Sequence, residues 1–158
     1  MNHKRQPTSN LCFLCGKDNP HGLKIVWYND YDKQEVYADI AFSEDYRSYP
    51  GVTHGGIVAA VLDETSGRAT MLDNDFNNLM VTLKLEVVYK KVTPTNTPLR
   101  AVGKVIRGTK KRAQVTARLM LPDGSVTAEC TALVYQMPGE YKDRWGEEAI
   151  EWQRTQAL

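Results

Sequence analysis

From Leu79 to Gln136 apolar and polar residues alternate with little interruption. Residues 79–92 (LMVTLKLEVVYKKV), 99–107 (LRAVGKVIR), 112–121 (RAQVTARLML) and 125–136 each carry the period-two pattern of a strand with one buried face. Only short polar turns join them, so they pair as antiparallel hairpins. Upstream, residues 23–28 (LKIVWY) and 34–42 (QEVYADIAF) read as two more strands around the turn residues Asn29 to Asp32. Between these two groups the period changes. Val58, Val61, Leu62 and Thr65 fall at helical spacing, which predicts a helix from about Gly55 to Met71. It is more apolar than a surface helix, and the small Ala59, Ala60, Gly67 and Ala69 imply a close-packed partner. One helix and one sheet with a single apolar face must bury each other. The pattern therefore predicts an α+β fold, a curved antiparallel sheet of five to six strands wrapped around one long central helix.

The flanks differ from this body. Residues 1–10 (MNHKRQPTSN) are polar and are expected to form a flexible leader before a domain spanning 11–137. Residues 138–158 place Trp145, Ile150 and Trp152 among many charges and read as a C-terminal extension with a peripheral helix. At 158 residues the chain suits one domain. Twenty basic against nineteen acidic residues leave a net charge of +1, which argues against a global grip on nucleic acid or an anionic membrane. No apolar run has transmembrane length, and no signal-peptide core is present. Three cysteines do not make a disulfide scaffold, so a cytoplasmic protein with reduced thiols is expected.

Candidate chemistry gathers at the predicted helix. His54-Gly55-Gly56 opens it, and glycines there let a ligand approach the backbone. The first turn offers unpaired N–H groups and a partial positive charge, which suit an oxyanion or a polarised carbonyl. Gly56 is the expected donor, although the same glycines also fit a helix start with no ligand. Asp63 and Glu64 lie inside the apolar stretch, where carboxylates are costly unless paired or used. Either one fits a general base or nucleophile. Seven residues separate Gly56 from Asp63, which puts them roughly 10 Å apart along one helix. The two cannot touch one carbonyl within one chain. If both act together, two antiparallel helices from two chains must supply them, which predicts a homodimer with two composite sites. Cys12-x-x-Cys15 resembles half of a zinc knuckle, but no defensible set of four ligands accompanies it, and no metal is expected.

The segment Gly51-x-x-His54-Gly55-Gly56 followed by Asp63 resembles the hotdog-fold acyl-CoA thioesterases, in particular the phenylacetate-pathway and thioesterase-superfamily-member branch. The order of elements over residues 11–137 fits the same family, and the Cys12-to-Leu23 leader looks like one seen in many of its members. The resemblance implies hydrolysis of an acyl-CoA thioester to a free acid and coenzyme A. Asp63 would be the nucleophile or the base, Gly56 the oxyanion donor from the partner subunit, and His54 a wall of the site. Thr82 would hold the attacking water or the carboxylate. Some members carry Asn where this chain has Ser48, a shorter side chain for polarising the carbonyl. Glu64 would share or replace the role of Asp63. Coenzyme A is part of the substrate, so no separate cofactor is implied. Its phosphates would meet Arg107, Lys110, Lys111 and Arg112 around one turn, with Lys90 and Lys91 as weaker candidates. Val58, Val61, Leu62 and Met80 would line the acyl pocket. The homodimer would be able to pair into a homotetramer. The alternative on the same fold is a non-catalytic acyl-CoA binding or sensing module. Hydration of an enoyl thioester would need a paired Asp and His motif that is not found.

Overall fold

The computed structural model describes residues 2–158. Its elements in order are β1 (His3–Arg5), β2 (Tyr28–Asp30), β3 (Glu35–Ile40), β4 (Arg47–Tyr49), β5 (Val52–Thr53), α1 (Gly55–Ala69), β6 (Met80–Tyr89), β7 (Leu99–Thr109), β8 (Arg112–Met120), β9 (Val126–Gln136), α2 (Gly139–Lys142) and α3 (Glu147–Gln156). Seven strands form one antiparallel sheet in the order β1-β2-β3-β7-β8-β9-β6, while β4 and β5 make a separate hairpin just before α1. The sheet packs one face on α1. Among the described residues no helix is long and apolar enough to cross a membrane.

The inner face is built for close approach. Ala113, Val115, Ala117 and Leu119 of β8 and Ala128, Cys130, Ala132 and Val134 of β9 are buried against the helix, which presents Val58, Val61, Leu62, Thr65 and Ala69. At Gly103 on β7 the sheet comes very close to the helix. A Cβ there would stand 2.8 Å from the Thr65 carbonyl oxygen and 2.9 Å from its Cγ2. Gly67, by contrast, has open space around it within the single chain. Buried Thr65 is satisfied twice, donating to the Val61 carbonyl and accepting from Trp27 Nε1 at 3.1 Å. The helix starts at Gly55 because His54 caps it: Nδ1 of His54 accepts the Gly56 N–H at 2.9 Å. It ends at Ala69, two residues before the expected Met71, where Thr70 bonds back to the Gly67 carbonyl.

The leader departs most from expectation. Residues 3–5 form a sheet strand rather than a loose arm, giving seven strands instead of five or six. Gln6 is fully buried and donates to Asn29 Oδ1 and to the Arg68 carbonyl. Polar composition was a poor guide here because those side chains bond to buried backbone and side-chain acceptors. Most of the strand expected over 23–28 also lies outside the sheet, because its backbone bonds to the 12–16 turn region instead. Leu23 and Ile25 give their N–H groups to Phe13 and Leu14, and β2 begins only at Tyr28. The C-terminal extension carries α3, which docks on the leader. Trp152 is buried and donates to the Phe76 carbonyl, and Thr155 exchanges hydrogen bonds with Thr8.

Two substitutions test this packing. Gly103→Ala forces a methyl into the Thr65 backbone and is expected to cost about 1–3 kcal/mol in urea unfolding. His54→Ala removes the helix cap and is expected to cost about 1 kcal/mol, with His54→Asn recovering most of it.

Candidate active site

Asp63 sits on the third turn of α1, half-buried, and its Oδ1 accepts a hydrogen bond from Thr82 Oγ1 at 2.6 Å. Thr82 can reach it because β6 is bulged. Thr82 pairs with Val134 and Lys84 with Leu133, so Leu83 is an extra residue on the β6 side. A bulge re-aims the side chains next to it. Met80 and Thr82 thereby share the helix-facing side with Leu85 and Val87, which strict alternation from Met80 would turn outward. Leu83 itself is 60% exposed.

Glu64, the neighbouring carboxylate, points elsewhere. Its Oε1 accepts from Arg68 Nε at 2.8 Å. Arg68 is buried, donates to the Pro7 carbonyl and lies over the rings of Trp27 and Trp152 at 5.0 and 5.1 Å. Cys12 and Cys15 are packed against the same group. The Cys12 thiol hydrogen-bonds toward Cys15 and, with the nearby Arg68 guanidinium, lowers the Cys15 thiol to about 6 against the opposing effect of burial. Cys12 is pushed up in return. Asp63 and Glu64 thus serve different surroundings, one facing Thr82 and the other a buried cation and two thiols.

The other helix end holds Gly56 and His54, both exposed, with Ser48 on β4 of the adjoining hairpin. The Gly56 N–H is engaged by His54 Nδ1 in the single chain. Ser48 has no hydrogen bond among the described residues. Tyr89, at the far end of β6 and not singled out in the sequence, donates to the Gly55 carbonyl at 2.7 Å and ties this end of the helix to the sheet edge. Asp63 and Gly56 therefore lie toward opposite ends of β6, and no one chain brings them together.

The basic candidates divide the same way. The β7–β8 turn lies at the Thr82 end, since Arg112 pairs with Tyr135 and Tyr135 with Val81. Lys90 lies past Tyr89, at the Gly56 end, and is ion-paired to Glu129 at 2.7 Å. Lys110 is held by Asp75 at 2.8 Å and Asp73 at 3.4 Å, and Arg107 donates to Gln114. Lys111 and Arg112 are exposed at the turn. Of the side chains expected to line an acyl pocket, Val58, Val61 and Leu62 are closed into the core. Met80 opens onto a cavity of about 260 Å³ whose lining includes Met71, Trp145, Trp152, Cys12, Cys15 and Glu64.

Sequence spacing alone marks Gly56, His54 and Asp63 as candidates. The bulge that delivers Thr82, the Tyr89 tether and the Glu64–cysteine grouping leave no local signal, because each depends on register or on contacts between distant segments.

The sequence profile described as the thioesterase superfamily matches residues 50–128, from β4–β5 through α1 into β9. No curated protein matches the sequence. Among solved structures, a thioesterase superfamily protein superposes with a TM-score of 0.72 at 23% identity, covering 80% of this chain and 61% of that one. A second thioesterase superfamily protein is 33% identical, with a TM-score of 0.58 over 66% of this chain and 78% of its own. A Streptococcus mutans protein solved bound to acetyl-CoA shares the fold at 18% identity, with a TM-score of 0.59 over 66% of this chain and 82% of its own. The helix gripped by one antiparallel sheet is the hotdog fold, and with the profile match and the 33% identical relative it follows that this chain belongs to the thioesterase superfamily.

Proposed function

We propose that the protein hydrolyses an acyl-CoA thioester to a free carboxylic acid and coenzyme A, as a homodimer with two sites shared between subunits. The observation that carries this reading is the 2.6 Å bond from Thr82 to Asp63, which fixes a half-buried carboxylate on a helix of a thioesterase-superfamily fold. The acetyl-CoA held by the Streptococcus mutans relative supports the ligand class.

The chemistry follows from the two helix ends. The thioester carbonyl lies against the Gly56 N–H of one subunit, where a backbone donor and the helix dipole favour developing negative charge. Its oxygen takes the place that His54 Nδ1 occupies in the single chain, and the displaced imidazole borders the thioester. Asp63 of the other subunit accepts a proton from water as that water attacks the carbonyl carbon. Thr82 orients the carboxylate through one oxygen and leaves the other for the water. Collapse of the tetrahedral intermediate breaks the carbon–sulfur bond, and the departing coenzyme A thiolate takes the proton back from Asp63. Direct attack by Asp63 through a mixed anhydride uses the same residues. Ser48 flanks the carbonyl on the Gly56 side.

Strand β6 supports the pairing. It is a sheet edge with an unpaired outer side in the chain and exposes Leu83, Val88 and Tyr89. Two copies joined along β6 by a two-fold axis run their helices antiparallel and set Gly56 of one beside Asp63 of the other. Lys90 of the first and Arg107, Lys111 and Arg112 of the second then flank one site, where the phosphates of coenzyme A require positive charge. Lys110 and Lys91 are secondary, since Lys110 is already neutralised by two aspartates. Dimers of this kind can pair again into tetramers. No cofactor beyond the substrate enters this chemistry.

Thiol release from short, long and aromatic acyl-CoAs tests the reading. Wild type is expected to turn over at least one class. Asp63→Asn is expected to lose about two decades in kcat or more with the fold intact. Thr82→Ala is expected to lose roughly tenfold to a hundredfold, the worth of one hydrogen bond to a charged group. Full activity in Asp63→Asn refutes the assignment of the carboxylate. Absence of turnover on every substrate, with acyl-CoA still raising Tm, would instead establish a binding module.

A further inference from the structure

Cys12, Cys15 and Glu64 take no part in the chemistry above, yet the fold assembles them. A thiol pair in the leader meets a helix residue about fifty positions away in sequence. One ligand atom from each, two sulfurs and a carboxylate oxygen, lie within 4.8 Å of one another, and no other histidine, cysteine, aspartate or glutamate group among the described residues does so.

The local backbone is shaped around the sulfurs. Cys12 to Gly16 is a tight turn closed by the Gly16 N–H on the Cys12 carbonyl at 2.8 Å. Gly16 has no room for a side chain, since a Cβ would stand 2.4 Å from the Cys12 oxygen and 2.6 Å from its nitrogen. Within the turn the Leu14 N–H points at Cys12 Sγ at 3.4 Å, and Ser9 Oγ lies 3.6 Å from Cys15 Sγ. Donors aimed at sulfur stabilise a metal-bound thiolate and orient it. Glu64 is positioned in the same manner. Its Oε1 is fixed by Arg68, which is itself immobilised between two tryptophans and the Pro7 carbonyl, so Oε2 is the oxygen left for a ligand.

Charge and size agree with a cation. Two thiolates and a carboxylate beside one guanidinium leave a partly buried group with an excess of two negative charges, which one divalent ion neutralises. Ligands about 2.0–2.3 Å from a tetrahedral ion stand roughly 3.3–3.8 Å apart, so side-chain rotations closing the donors by about 1 Å suffice. Thiolate ligands select zinc-like ions over magnesium or calcium. The adjoining cavity of about 260 Å³ admits a water as fourth ligand.

We infer that Cys12, Cys15 and Glu64 form a binding site for a zinc-type divalent ion, which clamps the leader turn onto α1 one residue beyond Asp63. Binding exchanges the protons of the thiols for the metal, with no change of oxidation state. The inference stands apart from the proposed hydrolysis, because its readout is metal binding alone.

Cobalt(II) is the probe. The reduced full-length chain, titrated without oxygen, is expected to bind one Co²⁺ with thiolate-to-cobalt charge transfer and the strong visible bands of tetrahedral coordination. Zinc should displace it, and zinc should raise Tm. Cys130→Ser is expected to leave the spectrum unchanged. Cys12→Ser and Cys15→Ser should each abolish or halve the charge-transfer band, and Glu64→Gln should weaken binding by on the order of tenfold or more. Circular dichroism checks that each variant is folded, and wild type with Cys130→Ser decides the matter if the others are not. Failure of the folded, reduced wild type to bind one Co²⁺ through sulfur overturns the inference, as does a spectrum that survives Cys15→Ser.

Discussion

A rigid helix sets the terms for everything else in this molecule. Its rise of about 1.5 Å per residue holds Gly56 and Asp63 roughly 10 Å apart whatever the side chains do. The sheet then grips that helix so closely that Gly103 leaves no space for a methyl group. The donor end and the carboxylate end therefore cannot converge within one subunit. In the proposed dimer the unpaired β6 edge, with its exposed Leu83, Val88 and Tyr89, brings a second helix alongside. In the proposed mechanism that second helix completes the site.

Arg68 is the other organising group. A guanidinium taken almost wholly out of water must be satisfied on every side. Here Glu64, Pro7, Trp27 and Trp152 do so, drawn from the helix, the leader, the 23–28 segment and the C-terminal helix. The leader and the C-terminal helix are thereby made part of the domain. The same ion pair turns Glu64 away from Thr82 and toward the cysteines, which separates the surroundings of two adjacent carboxylates.

The central helix and the four long strands were legible in the sequence because their signal is local. Val58, Val61, Leu62 and Thr65 keep a helical period, and β8 alternates from Ala113 to Leu119 without a break. The leader was illegible for a physical reason. Gln6 and Thr8 are polar residues whose partners lie far along the chain, so composition alone reads them as solvated. In the candidate site, spacing marked the helix mouth and Asp63, and family resemblance marked Thr82. It did not show that His54 occupies the Gly56 N–H, nor that a bulge at Leu83 aims Thr82 at Asp63, because both are properties of geometry and register.

The shared site is tested most directly by mixing two inactive chains. Gly56→Pro removes the donor N–H at a first-turn position where proline is tolerated, and Asp63→Asn removes the base. Each variant alone should be inactive. In a mixed dimer, one of the two sites draws its Gly56 from the Asp63→Asn chain and its Asp63 from the Gly56→Pro chain, and is intact. Unfolding and refolding the two together should then restore about a quarter of wild-type turnover, the share expected from random pairing of a two-fold dimer. If mass spectrometry shows that mixed dimers have formed and turnover stays at the sum of the two variants, the site does not lie between subunits and the account is wrong.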